Sequence, residues 1–112
     1  MARPKNNDNG TDKVRITDQF RTRSGMAYEL RGNGARLTVL IAERTGDAVL
    51  PEWHVEASSP QSPGNEVSQS ATTKAEALRL TGMQWVADAT TLGLPAFDWT
   101  EVAGALSAVR AI

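Results

Sequence analysis

His54 is the one histidine of the chain, and Glu52 and Glu56 stand two residues to either side of it. On an extended strand, residues two apart project from the same face, so the imidazole is expected between two carboxylates. Such a grouping admits a carboxylate-supported base or a metal ligand. Metal binding by these three is awkward, because strand neighbours at i±2 project in parallel about 7 Å apart. The plainer expectation is a surface histidine on the polar side of a strand. Serines are frequent between Ser58 and Ser70, yet there is no G-x-S-x-G elbow and no S-x-x-K motif. Gly32-Asn33-Gly34 is not followed by a helical pattern, and no G-x-x-x-x-G-K-[ST] occurs. The absence of cysteine excludes disulfide scaffolds, thiolate metal sites and thiol nucleophiles. Convergent titratable groups are not assembled by these residues, so a non-enzymatic domain without cofactor or metal is expected.

Charge layout is the stronger cue. The whole chain sums to -1, which taken alone argues against polyanionic partners. Residues 1–46 hold nine Lys/Arg against five Asp/Glu, a net of +4, whereas residues 47–112 hold three against eight, a net of −5. A basic half followed by an acidic half marks interaction surfaces more readily than the total does. Arg15, Arg21 and Arg23 fall on the polar side of the first alternating segment, and Arg36 and Arg44 on that of a later one. Together with Thr17, Gln19 and Thr38, they are expected to form a basic, hydrogen-bonding sheet face. With Arg3 and Lys5 of the N-terminal segment, such a face could follow a nucleic-acid backbone. Aromatic interleaving is missing, since Tyr28 is the sole tyrosine and the tryptophans fall in apolar patterns.

The elements that must position these side chains follow from periodicity. With 112 residues, 40% hydrophobic and 22% charged, the chain has the size and composition of one folded domain. Residues 1–12, rich in Asn, Asp and Gly, read as a flexible arm, leaving 13–112 as a single α+β domain. Val14, Ile16 and Phe20 are expected on the core side of a first strand, and Met26, Tyr28 and Leu30 on that of a second. Gly32-Asn33-Gly34 predicts a hairpin, because glycine and asparagine accept positive φ. Ala35–Arg44 is the third strand, with Leu37, Val39 and Ile41 inward. Val49–Ser58 is the fourth, its start made irregular or placed at an edge by Pro51. Glu66–Ala71 is a short fifth strand or an extended loop.

Thr73-Lys74-Ala75-Glu76 and Asp98-Trp99-Thr100-Glu101 have capping-box spacing and predict two helix starts. Ala75, Leu78, Gly82, Trp85, Ala89 and Leu92 form a helical stripe that Leu80, Met83, Val86 and Ala87 widen, so this helix is expected to be buried on more than one side. Gly93, Leu94 and Pro95 end it. The second helix is expected to run to the C-terminus, with Phe97 stapled onto Val102 and Arg110 near its end. Strands followed by helices give an α+β fold: an antiparallel β-meander of four or five strands, then two C-terminal helices packed on one face. In topology alone, a basic meander followed by a helix resembles small nucleic-acid-binding domains of the Pur and Whirly types; none of their sequence motifs occurs, so the resemblance assigns no residue.

No apolar run approaches the length needed to span a bilayer and no signal-peptide pattern is visible, so a cytoplasmic protein without a membrane partner is expected. The leading functional expectation is a domain binding single- or double-stranded nucleic acid through its basic sheet face and arm. The alternative is a homo-oligomeric interaction or assembly module using the helical layer or a sheet edge.

Overall fold

The computed structural model describes residues 13–32, 34–44 and 52–108. The strands are β1 (Arg15–Arg21), β2 (Met26–Gly32), β3 (Ala35–Arg44), β4 (Glu52–Ser58) and β5 (Glu66–Ala71), followed by α1 (Lys74–Leu92) and α2 (Trp99–Ser107). All five strands form one antiparallel sheet in chain order, and both helices lie on one face of it. The α+β meander expected from the patterning is therefore the observed fold. Pro51 and the start of the fourth segment, the arm 1–12, Asn33 and the tail with Val109 and Arg110 lie outside the described residues.

Two tight turns carry the first three strands. Thr22 N–H donates to the Gly25 carbonyl at 2.7 Å, closing the β1–β2 connection. A Cβ at Gly25 would run into the Ile41 carbonyl of β3, so this position must be glycine for the strands to pass so closely. Gly32 pairs with Ala35, which leaves a two-residue loop, and its second residue, Gly34, has φ of 75°.

On the helix side of the sheet, Leu30, Leu37, Val39, Val55 and Val67 are fully buried, in the period-2 alternation that the sequence displays. From the helices, Leu78, Trp85, Val102 and Leu106 close over them. α1 lies over β4 and β5, while the shorter α2 reaches β1. Phe97 and Val102, the expected staple pair, are both in this core.

Both capping boxes form only in part, because each glutamate has another partner. Thr73 Oγ accepts from the Glu76 N–H at 3.1 Å, but the Glu76 carboxylate accepts from Arg79 Nε at 2.9 Å. Asp98 accepts from Thr100 N–H at 3.1 Å, whereas Glu101 Oε1 accepts from the backbone N–H of Val14 at 2.9 Å. That bond ties α2 to the residue leading into β1 and satisfies an amide at the sheet edge. Gly93 ends α1 at φ of 71°, with the Leu94 N–H returning to the Ala89 carbonyl at 2.9 Å.

Two expectations about sidedness are corrected. First, α1 is buried on one side only: Met83 and Val86 are 58% and 63% exposed, and Ala87 is exposed too. The nine-residue α2 covers Gly82 with the Trp99 ring but does not extend across Met83 and Val86. Second, the pairing of β1 with β2 shifts between Ile16 and Asp18, a bulge that inserts one residue. Beyond it every side chain changes face, so Phe20 sits opposite Ala27 on the outer side, 45% exposed, rather than in the core.

Candidate functional site

The same bulge decides where the arginines go. Arg15 precedes it and pairs with Arg31 of β2, which in turn pairs with Arg36 of β3. Residues directly opposite one another share a face, and all three are exposed on the sheet side away from the helices. Adjacent strands are about 4.8 Å apart, so three guanidinium-bearing positions stand in one row spanning roughly 10 Å. None of the three is within ion-pair distance of a described carboxylate.

Arg21 follows the bulge and pairs with Met26, which places it on the helix side. Arg23 lies in the β1–β2 turn. Arg44 ends β3 opposite Glu52, at the other end of the strand from Arg36. Of the five expected residues, Arg15 and Arg36 are thus brought together, while Arg21, Arg23 and Arg44 are not. Arg31 completes the row and was absent from the sequence expectation. Its signal was available: if Gly32 and Ala35 close a two-residue hairpin loop, the next pair outward must be Arg31 with Arg36.

Nor is the outer face uniformly basic. Register places Arg15, Arg31 and Arg36 there, together with Asp18, Glu29, Glu52, Glu56 and Glu66. These charges are sorted, with the arginine row at one end. Two hollows adjoin this row and share Arg31 and Arg36. One, of about 180 Å³, is also bounded by Arg15 and the hairpin turn at Gly34. The other, of about 320 Å³, adds Thr17, Thr38, Ser58 and Asn65, with Glu29 at its side. The two hollows combine positive charge with hydroxyl and amide groups, the chemistry that contacts phosphates and sugars.

His54 finds a partner that the sequence reading did not assign. It pairs in register with Ser70 of β5, and its Nδ1 lies 2.9 Å from Ser70 Oγ. Its Nε2 lies 3.0 Å from Glu56 Oε2, and no hydrogen bond joins it to Glu52 among the described residues. With the proton on Nε2, the neutral ring donates to Glu56 and accepts from the Ser70 hydroxyl. A serine, an imidazole and a carboxylate in series is the connectivity of acyl transfer. These three side chains do not line the hollows beside the arginine row, the groove between the helices or the cavity over Tyr28. Among the described residues no group of three or more His, Asp or Glu could hold a metal ion, and no helix is long and apolar enough to cross a membrane.

On the other side of the molecule, α1 and α2 leave an apolar groove of about 660 Å³ between them. Leu78, Gly82, Met83, Val86, Trp99 and Ala103 form most of its surface. No family model matches the sequence, and neither a curated protein nor a solved structure matches it.

Proposed function

We propose that this protein is a non-enzymatic nucleic-acid-binding domain whose phosphate contacts come from Arg15, Arg31 and Arg36. The observation that supports this reading is their alignment across three adjacent strands, exposed and without acidic partners among the described residues. Three cations so close repel one another, and a polyanion is the partner that offsets this along its length. The flanking hydroxyls of Thr38 and Ser58 add neutral donors. Asp18 and Glu29 confine the footprint to one end of the sheet, and Arg3 and Lys5 extend it in sequence. A cytoplasmic setting, in which a cysteine-free chain needs no disulfide, belongs to the same reading.

Fluorescence anisotropy of labelled single- and double-stranded oligonucleotides across a salt series tests it. Three phosphate contacts imply a slope of log K against log salt of about −2 for single strands and about −3 for duplex. Arg31→Glu is expected to remove this binding. An unchanged affinity in that variant, or no binding at low salt, would overturn the reading.

A second reading, homo-oligomeric assembly through the helical layer, is favoured by the exposed Met83 and Val86 beside the α1–α2 groove. Light scattering of the protein and of Val86→Glu distinguishes it. A dimer that dissociates in the variant supports assembly, and a monomer at high concentration removes it.

A further inference from the structure

α1 packs chiefly on β4 and β5 and α2 on β1, and one part of the helix side of the sheet is left open among the described residues. That part is a cavity of about 330 Å³ whose floor is Met26, Tyr28, Ile41 and Trp53 and whose rim carries Arg21, Lys74 and Glu43. Its volume is that of a small-ligand site. Two facts about its polar groups set its chemistry. Tyr28 is only 5% exposed, yet its hydroxyl has no hydrogen-bond partner among the described residues. The indoles of Trp85 and Trp99 donate to the Pro95 and Leu78 carbonyls, both at 2.9 Å, whereas that of Trp53 donates to no described group. A hydroxyl that faces a cavity without a protein partner is left to solvent or to a ligand.

The rim adds two cations, neither in an ion pair with a described carboxylate. Donors therefore outnumber acceptors around an apolar, partly aromatic floor. Glu43 is the one carboxylate among the described lining residues, and it penalises a second negative charge on anything bound. We infer that this cavity binds a small monoanion consisting of a carboxylate on an apolar, planar body. The carboxylate takes the Tyr28 hydroxyl and the positive field of Arg21 and Lys74, and the body lies on Trp53 and Met26. The same chemistry is offered by a free aryl-alkanoic acid and by the C-terminus of a peptide ending in an aromatic residue. The site lies across the sheet from the arginine row and stands independently of phosphate binding there.

Titration of the ¹⁵N-labelled protein with 3-phenylpropionate, 3-phenylpropanamide and N-acetyl-Gly-Phe tests the inference, with the indole signal of Trp53 assigned through Trp53→Phe. The acid or the peptide is expected to move that signal saturably, and whichever does so identifies the source of the carboxylate. The neutral amide should bind roughly ten-fold more weakly, the loss typical of a charge-assisted hydrogen bond. Tyr28→Phe should weaken binding about five-fold with no loss of folding stability, since it deletes a hydroxyl that has no protein partner. Arg21→Gln with Lys74→Gln should abolish binding without altering oligonucleotide affinity. A Trp53 signal unmoved by both carboxylates, equal binding of acid and amide, or full binding in the double variant would each overturn the inference.

Discussion

On the helix side of the sheet, Trp85 is enclosed between Phe97, edge-on at 6.3 Å, and Trp99, stacked at 6.0 Å, with its indole N–H donating to the Pro95 carbonyl. On the outer side of the same sheet, Arg15, Arg31 and Arg36 stand exposed and no described helix or strand lies over them. The first arrangement is set by shape, because a ring enclosed on all sides tolerates no change in volume. The second is set by charge, because solvated side chains pack against little and are free to be placed for a partner. Substitutions on the two sides should therefore separate cleanly, one set acting on stability and the other on binding.

The largest effect is expected from Trp85→Ala, which empties the centre of the core. A loss of about 3–5 kcal/mol should appear as a lowered urea midpoint. Gly82→Ala comes next. A Cβ there would overlap the Trp99 ring, so the ring must move off Leu78 and Trp85, at about 1–3 kcal/mol for overpacking. Phe20→Ser tests the bulge directly. An outward Phe20 should lose about 1 kcal/mol or less, whereas a core phenylalanine would lose about 3–5 kcal/mol.

Arg31→Ala sharpens the comparison from the other side. Its urea midpoint should move by no more than about 0.5 kcal/mol equivalent. Removal of one phosphate contact should nevertheless reduce the salt slope of oligonucleotide binding by about 1. The smallest effect concerns Glu76, whose carboxyl is held below its ordinary range by the hydrogen bond from Arg79 and then by that charge, with burial opposing. A carboxyl lowered on folding contributes stability above its ordinary value, and that contribution fades as pH falls through the lower folded one. Both side chains are solvent-exposed, so Glu76→Gln should barely change the urea midpoint at neutral pH and should erase even that difference in acid.

Much of the fold was legible in the sequence because its signals are local. Thr73 and Asp98 cap helices where the spacing places them, Gly93 ends α1, and the Gly32–Ala35 pairing follows from the turn residues between them. A cap or a tight turn is settled by residues within a few positions of one another, so periodicity and punctuation suffice. The site was less legible. Arg15 and Arg36 were both expected on an open face, but their separation in sequence says nothing of the strand that lies between them.

Sequence alone thus determined that strands precede helices, the inward faces of β2 and β3 and the concentration of basic residues in the first half. Tertiary structure decided which of those basic residues meet. A one-residue bulge in β1, a matter of pairing with β2, sent Arg21 to the helix side and Phe20 to solvent. Register likewise set Arg15 against Arg31, and Ser70 against His54. Among the described residues α2 leaves Met83 and Val86 exposed and contributes nothing to the lining of the Tyr28 cavity. Side-chain parity reverses with a single inserted residue, and coverage depends on what a distant element can reach; neither is encoded in a window of neighbouring residues.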